Sequence, residues 1–178
     1  MEIKKFIIIG ENIHCTRVFK REGNLVGAAP DGRPAVIYDD GGQKKFMPIP
    51  EQILKSGDWE NGKVKHCAAA IWQGMNGFGK DKDAGLDYLR VMAAKQEKAG
   101  ATYLDINVDE FGHNIEERIK AMQWTAETVQ NASCLPLSID SSNVEIMRAG
   151  LKACDQKRGR PVVNSISLER LALLEPVA

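Results

Sequence analysis

Between Thr102 and Val108 the apolar residues Leu104, Ile106 and Val108 alternate with Tyr103, Asp105 and Asn107. A period of two predicts a β-strand with one apolar side and one side ending in polar groups. The period then changes. Ile115, Ile119, Met122, Ala126 and Val129 recur at helical spacing, and Asn114 with Glu117 supplies a capping-box start. The plan repeats: Leu135–Asp140 predicts a strand, Ser142 and Glu145 a capping box, and Val144, Met147 and Leu151 the sheet-facing stripe. A basic turn, Lys157–Arg160, leads into a strand at Pro161–Ile166, and Leu168–Leu174 predicts the opening of another helix. Upstream, an apolar run predicts a first strand near residues 6–10. A helix over about 82–99 buries Leu86, Leu89, Met92 and Ala93 and ends at Gly100, a residue suited to a left-handed C-cap.

Strands alternating with helices predict a parallel sheet covered on its outer face. Asp105, Asn107, Asp140 and Asn164 fall at or near the carboxyl ends of their strands, where (β/α) barrels build their sites. Each alone reads as a turn-former or helix cap. Three successive strands ending this way favour a functional site.

Residues 14–81 break the plan. Arg21–Asn24, Asp31–Pro34 and Asp39–Gly42 are turn signals, and Ala35–Tyr38 with Lys45–Ile49 predicts a β-hairpin whose prolines confine its second arm to an edge. From Trp59 to Met75 the spacing of Val64, Ala68, Ile71 and Trp72 predicts one helix.

Composition narrows the classes. The 178 residues suit one domain, 43% hydrophobic and 27% charged. The 24 basic residues cancel the 24 acidic ones, so no net field favours nucleic acid or an anionic membrane, and no apolar run is long enough for a membrane helix. Cys15, Cys67, Cys134 and Cys154 form no C-x-x-C pair, which points to reduced thiols and a cytoplasmic protein. His14-Cys15 and His66-Cys67 are zinc-type ligands. Strand neighbours face opposite ways, however, and one zinc would have to join pairs fifty residues apart, so no metal is expected.

Ile8-Ile-Gly-Glu-Asn-Ile-His14, Gly100–Val108, Leu137–Asn143 and Val163-Asn-Ser165 resemble the successive strand motifs of the pterin-binding methyltransferases. That family includes the methyltetrahydrofolate:corrinoid protein methyltransferases and the folate domain of cobalamin-dependent methionine synthase. The resemblance covers residues 1–14 and about 82–178. It implies a TIM-type (β/α)8 barrel, of which residues 1–178 are the N-terminal part with about four βα units, and 14–81 an insertion after strand one. It also implies a pterin site. Asp140 would accept the ring's paired donors in a bidentate arrangement, and Asn164 would meet the mixed donor–acceptor edge. Asp105 and Asn107 would line the same pocket, with mutual hydrogen bonding as the alternative. Asn143 is pocket wall or first-turn helix residue, and Glu11 matches a glutamate after strand one. The family usually continues with arginine and then asparagine where this chain has Asn12 and His14.

The implied reaction moves the N5 methyl of methyltetrahydrofolate to the cobalt(I) of a corrinoid carried by another protein or domain. The family's asparagine at N5 lies on a late strand, outside these residues, and no general acid is identified. Two alternatives stand: a non-catalytic module that binds pterin or a corrinoid protein, and dihydropteroate synthase, whose loop motifs after strands one and two are replaced here. An incomplete barrel is expected to expose apolar surface near Ile7, Ile9, Leu137 and Val162, relieved by a homodimer or, the favoured expectation, by a longer natural chain.

Overall fold

The computed structural model describes residues 6–167. The helix expected from Leu168 lies outside them. In chain order the elements are β1 (Ile9–His14), β2 (Val18–Lys20), β3 (Val26–Ala28), β4 (Pro34–Asp40), β5 (Gln43–Pro48), α1 (Glu51–Leu54), α2 (Gly57–Glu60) and β6 (Lys63–Lys65). They continue as α3 (His66–Asn76), α4 (Gly79–Lys98), β7 (Tyr103–Asn107), α5 (Ile115–Ala132), β8 (Leu137–Asp140), α6 (Val144–Ala153) and β9 (Val162–Asn164). The chain divides into two compact units: residues up to His14 together with those from Met92 onward, and Cys15–Val91.

The first unit is α/β, with a four-stranded parallel sheet in the order β1-β7-β8-β9. Leu104 and Ile106 pair in register with Leu137 and Ile139, and all four are buried, as are Met122, Ala126 and Val129 of α5 and Ile146 and Met147 of α6. Sequestering each large aliphatic contributes roughly 1.5–3 kcal/mol. Leu137, expected near the exposed surface, is 1% exposed because it shares this apolar side, whereas Ile7 and Ile9 are exposed. Gly150 sits where α6 lies tightest: an added Cβ would come within 2.7 Å of Ile139 Cγ2 and 3.0 Å of Met122 Cγ. Gly150→Ala is therefore expected to destabilise the unit by about 1–3 kcal/mol of overpacking, visible as a lower denaturation midpoint at unchanged slope.

β1 departs from expectation. The apolar run at residues 6–9 suggested a strand ending at Gly10, but pairing begins at Ile9 and continues to His14. Gly10 pairs with Leu104 and Ile13 with Ile106, so Glu11 and Asn12 bulge opposite Asp105. Buried Gln96 of α4 accepts a hydrogen bond from the Asn12 N–H at 3.0 Å, supplying the partner that the bulge removes from the ladder. Gly10 makes room for it, since a Cβ there would lie 2.4 Å from Gln96 Oε1. Beyond the bulge Ile13 is fully buried and His14 pairs with Asn107.

In the second unit β3, β4 and β5 form an antiparallel sheet, and β2 pairs with β6. The β4–β5 hairpin turns at Gly41 and Gly42, both at positive φ (62° and 92°), as a two-residue hairpin requires. The single helix expected over 59–75 is instead α2, β6 and α3. Gly62 (φ 72°) ends the first turn of helix, and Lys63–Lys65 pair with Val18–Lys20 before helix resumes. His66 is buried against Phe19, its ring stacked at 3.9 Å, and its Nδ1 shares a hydrogen bond with the Tyr88 hydroxyl at 2.9 Å. Lys45 and Arg90 bind Asp40 and Asp87 in a partly exposed network, and the Tyr38 hydroxyl donates to Asp87 at 2.8 Å. Among the described residues no helix is long and apolar enough to cross a membrane. None of the four cysteines is in a disulfide.

Candidate functional site

The face of the sheet opposite the aliphatic core carries polar residues, because a strand that buries Leu104 and Ile106 on one side must turn Asp105 and Asn107 to the other. Register does the rest. Asp105 pairs with Ser138, Asn107 with Asp140, and Asp140 with Asn164. In-register neighbours of a parallel sheet share a face, so side chains far apart in sequence meet. Ser138 Oγ donates to Asp105 Oδ1 at 2.5 Å, Asn164 Nδ2 to the same oxygen at 3.3 Å, and Asn107 Nδ2 to Asp140 Oδ2 at 3.0 Å. The bulge in β1 brings a further member to this face: His14 Nε2 lies 2.7 Å from Asp140 Oδ2 and 3.5 Å from Asp105 Oδ2.

His14 is therefore flanked by two carboxylates. Burial alone would lower its pKa, but the attraction of the two flanking carboxylates, Asp105 and Asp140, outweighs that and raises it to about 9. At neutral pH the imidazole is protonated and pins Asp140 from one side while Asn107 pins it from another. The Asp140 side chain stays 23% exposed, so a carboxylate anchored through Oδ2 is presented to solvent. Such a group can accept a flat pair of N–H donors.

Four of the six expected site residues thus meet on one face as two hydrogen-bonded pairs, Asn164 with Asp105 and Asn107 with Asp140, and His14 stands between the two carboxylates. Asn107 is also committed to its own strand end, accepting from the Asp109 N–H at 2.9 Å. Asn143 caps α6: its Oδ1 accepts from the Glu145 and Ile146 N–H groups. Ser142, expected in that role, instead donates its hydroxyl to Asp109 Oδ2 at 2.7 Å. Glu11 is exposed in the bulge. At α5 the expected cap is present, with Asn114 accepting from the Glu117 N–H.

Three contributors were not expected from the sequence. His14 lies beyond the apolar run that marks strand one. Ser138 has the composition of an ordinary strand residue, although it alternates onto the same face as Asp140. Asp109 binds Ser141 and Ser142 and so holds the β8–α6 loop. Its signal would have been position alone, two residues past Asn107.

The family model described as pterin binding enzyme matches residues 79–178, more than half of the chain. Over 82 residues the chain is 38% identical to the methylcorrinoid:tetrahydrofolate methyltransferase of Eubacterium limosum, covering 46% of this chain and 28% of that protein. Over 151 residues it is 28% identical to methionine synthase of Mycobacterium leprae (strain TN), covering 80% of this chain and 11% of that protein. The chain spans less than a third of either relative. The first of these relatives is named for methyl transfer, and the four polar strand ends lie within the residues that the family model matches. The chain belongs to the pterin binding enzyme family.

Proposed function

We propose that this chain binds methyltetrahydrofolate on the polar strand ends and serves transfer of its N5 methyl group to the cobalt of a corrinoid held by another protein or domain. The observation carrying this reading is the convergence of Asp105, Asn107, Asp140 and Asn164, from three successive parallel strands, into one cluster with a solvent-facing carboxylate. The name of the Eubacterium limosum relative, methylcorrinoid:tetrahydrofolate methyltransferase, supports the same chemistry.

The residues fit a pterin. Its ring carries a cyclic N–H beside an exocyclic amino group, and Asp140 accepts that pair. Asn164, with an acceptor and two donors, meets the mixed edge. Asp105 and Asn107 hold these two in place, and Asn143 and Glu11 border the ring. His14 fixes the orientation of Asp140. In the reaction the N5–methyl bond breaks, a cobalt–carbon bond forms, and N5 keeps the electron pair and takes up a proton. The chain's part is to position the donor and favour positive charge at N5. The parallel sheet is read as the first four βα units of a (β/α)8 barrel, with residues 14–81 an insertion after strand one, in a cytoplasmic enzyme.

Mixing the chain with methyltetrahydrofolate and a reduced corrinoid protein tests this. Loss of the cobalt(I) absorption with equimolar tetrahydrofolate release is expected. Tight folate binding without turnover would favour the alternative, a binding module.

A further inference from the structure

The most deeply buried carboxylate of the cluster is incompletely matched. Asp105 is 0% exposed, and its Oδ1 receives both Ser138 and Asn164. Its Oδ2 is buried and, among the described residues, receives no well-formed hydrogen bond, with His14 Nε2 standing off at 3.5 Å. The nearest ring nitrogen, His14 Nε2, carries at most one hydrogen, and at 2.7 Å from Asp140 against 3.5 Å from Asp105 that hydrogen goes to Asp140. A buried carboxylate oxygen left without a donor is costly unless something else supplies positive charge. Two carboxylates also face a single imidazole, so even a protonated His14 leaves the group net negative.

We propose that His14, Asp105 and Asp140 form a binding site for a first-row divalent metal ion. One ligand atom from each residue lies within 4.8 Å of the other two. A tetrahedral ion with bonds of about 2.1 Å needs ligand atoms roughly 3.4 Å apart, so the His14–Asp105 spacing already suits it and the His14–Asp140 spacing needs a small opening. One imidazole with two carboxylates is a donor set for zinc, manganese, iron or cobalt rather than for a thiolate-seeking ion. The surroundings hold the ligands in place: Ser138 and Asn164 fix Asp105, and Asn107 fixes Asp140. Three protein ligands and the partial exposure of His14 and Asp140 (14% and 23% of each side chain) leave a coordination position open to water. The ion takes the place of the His14 proton and gives Asp105 Oδ2 a direct bond in place of a 3.5 Å contact. It also shares Asp140 with the pterin reading, yet nothing in the metal site depends on that reading.

Cobalt(II) alone, with no folate present, is the probe. Titrated into the 178-residue chain, it is expected to saturate at one equivalent with a visible d–d band and no thiolate charge-transfer band, which separates this site from the cysteines. His14→Ala and Asp105→Asn should each weaken binding by at least about tenfold, with the fold of each variant checked by circular dichroism. Because Asp105 is buried, His14→Ala, altering a partly exposed side chain, keeps the test decisive if Asp105→Asn fails to fold. Binding with a thiolate signature, binding unchanged by His14→Ala, or no saturation at millimolar cobalt would each overturn the proposal. A chain that binds cobalt but not methyltetrahydrofolate would sink the pterin reading and leave the metal site standing.

Discussion

Asp140→Asn is expected to weaken methyltetrahydrofolate binding by about 1.5–3 kcal/mol, roughly ten- to a hundred-and-fifty-fold, the range for hydrogen bonds to a charged group. A carboxylate can accept from two adjacent N–H donors. An amide of the same shape accepts from one and sets its own N–H group against the other. Folding should change much less. Asp140 ends β8 with its side chain partly exposed, and the amide oxygen can still receive His14 and Asn107. Calorimetric titration of both proteins checks this, with circular dichroism to show that the variant is folded. Equal affinities would remove Asp140 from the site.

The second large effect lies in the other unit and concerns acid. Burial, with a smaller contribution from the charge of Arg17, lowers the His66 pKa from 6.5 to about 4. A neutral buried histidine is stabilising while the unfolded chain's histidine is also neutral. Below pH 6.5 the unfolded chain takes up a proton that the folded one refuses. Stability from this residue is therefore complete above pH 6.5, declines as pH falls, and is lost once pH passes about 4. The shift of about 2.5 units corresponds to a loss of up to about 3 kcal/mol for the Cys15–Val91 unit. Nearby, Phe19 stacks on the ring, the Tyr88 hydroxyl shares a hydrogen bond with it and Cys67 Sγ lies 3.4 Å from Nδ1, so Arg17 is the charged group that counts here. Urea midpoints followed from pH 7.5 to 4 should fall more steeply in the wild-type protein than in His66→Gln, which cannot titrate. Parallel slopes would show that His66 does not govern the acid response.

How far the sequence carried depended on which regularity each segment obeyed. β7 and β8 were legible because a strict period of two runs through them, and the same alternation that buries Leu104 and Ile106 turns Asp105 and Asn107 to the polar side; β9 was legible from its adjacent β-branched residues, Val162 and Val163. The hairpin was legible because Asp-Asp-Gly-Gly supplies the two positive-φ residues its turn requires. β1 was misjudged because a bulge inserts a residue that periodicity cannot count, and the acceptor that stabilises it, Gln96, sits 84 residues away. His14 was lost with that boundary: read as loop, it could not be placed beside Asn107. The helix expected over 59–75 failed for a related reason, since apolar spacing continues straight through Gly62 while the backbone does not. The cap of α6 was off by one residue because Ser142, adjacent to Asn143 and equally suited, is drawn away by Asp109 from another strand end. Pairings such as His14 with Asp140, 126 residues apart, arise only from sheet register.

A crystal structure of the chain with bound methyltetrahydrofolate tests most directly whether the pterin ring rests on these strand ends. Ring density is expected with the cyclic N–H and exocyclic amino group within hydrogen-bonding distance of the Asp140 carboxylate, and with Asn164 on the adjoining edge. A ring bound among residues 15–91, or one that leaves Asp140 engaged only by His14 and Asn107, would contradict that placement.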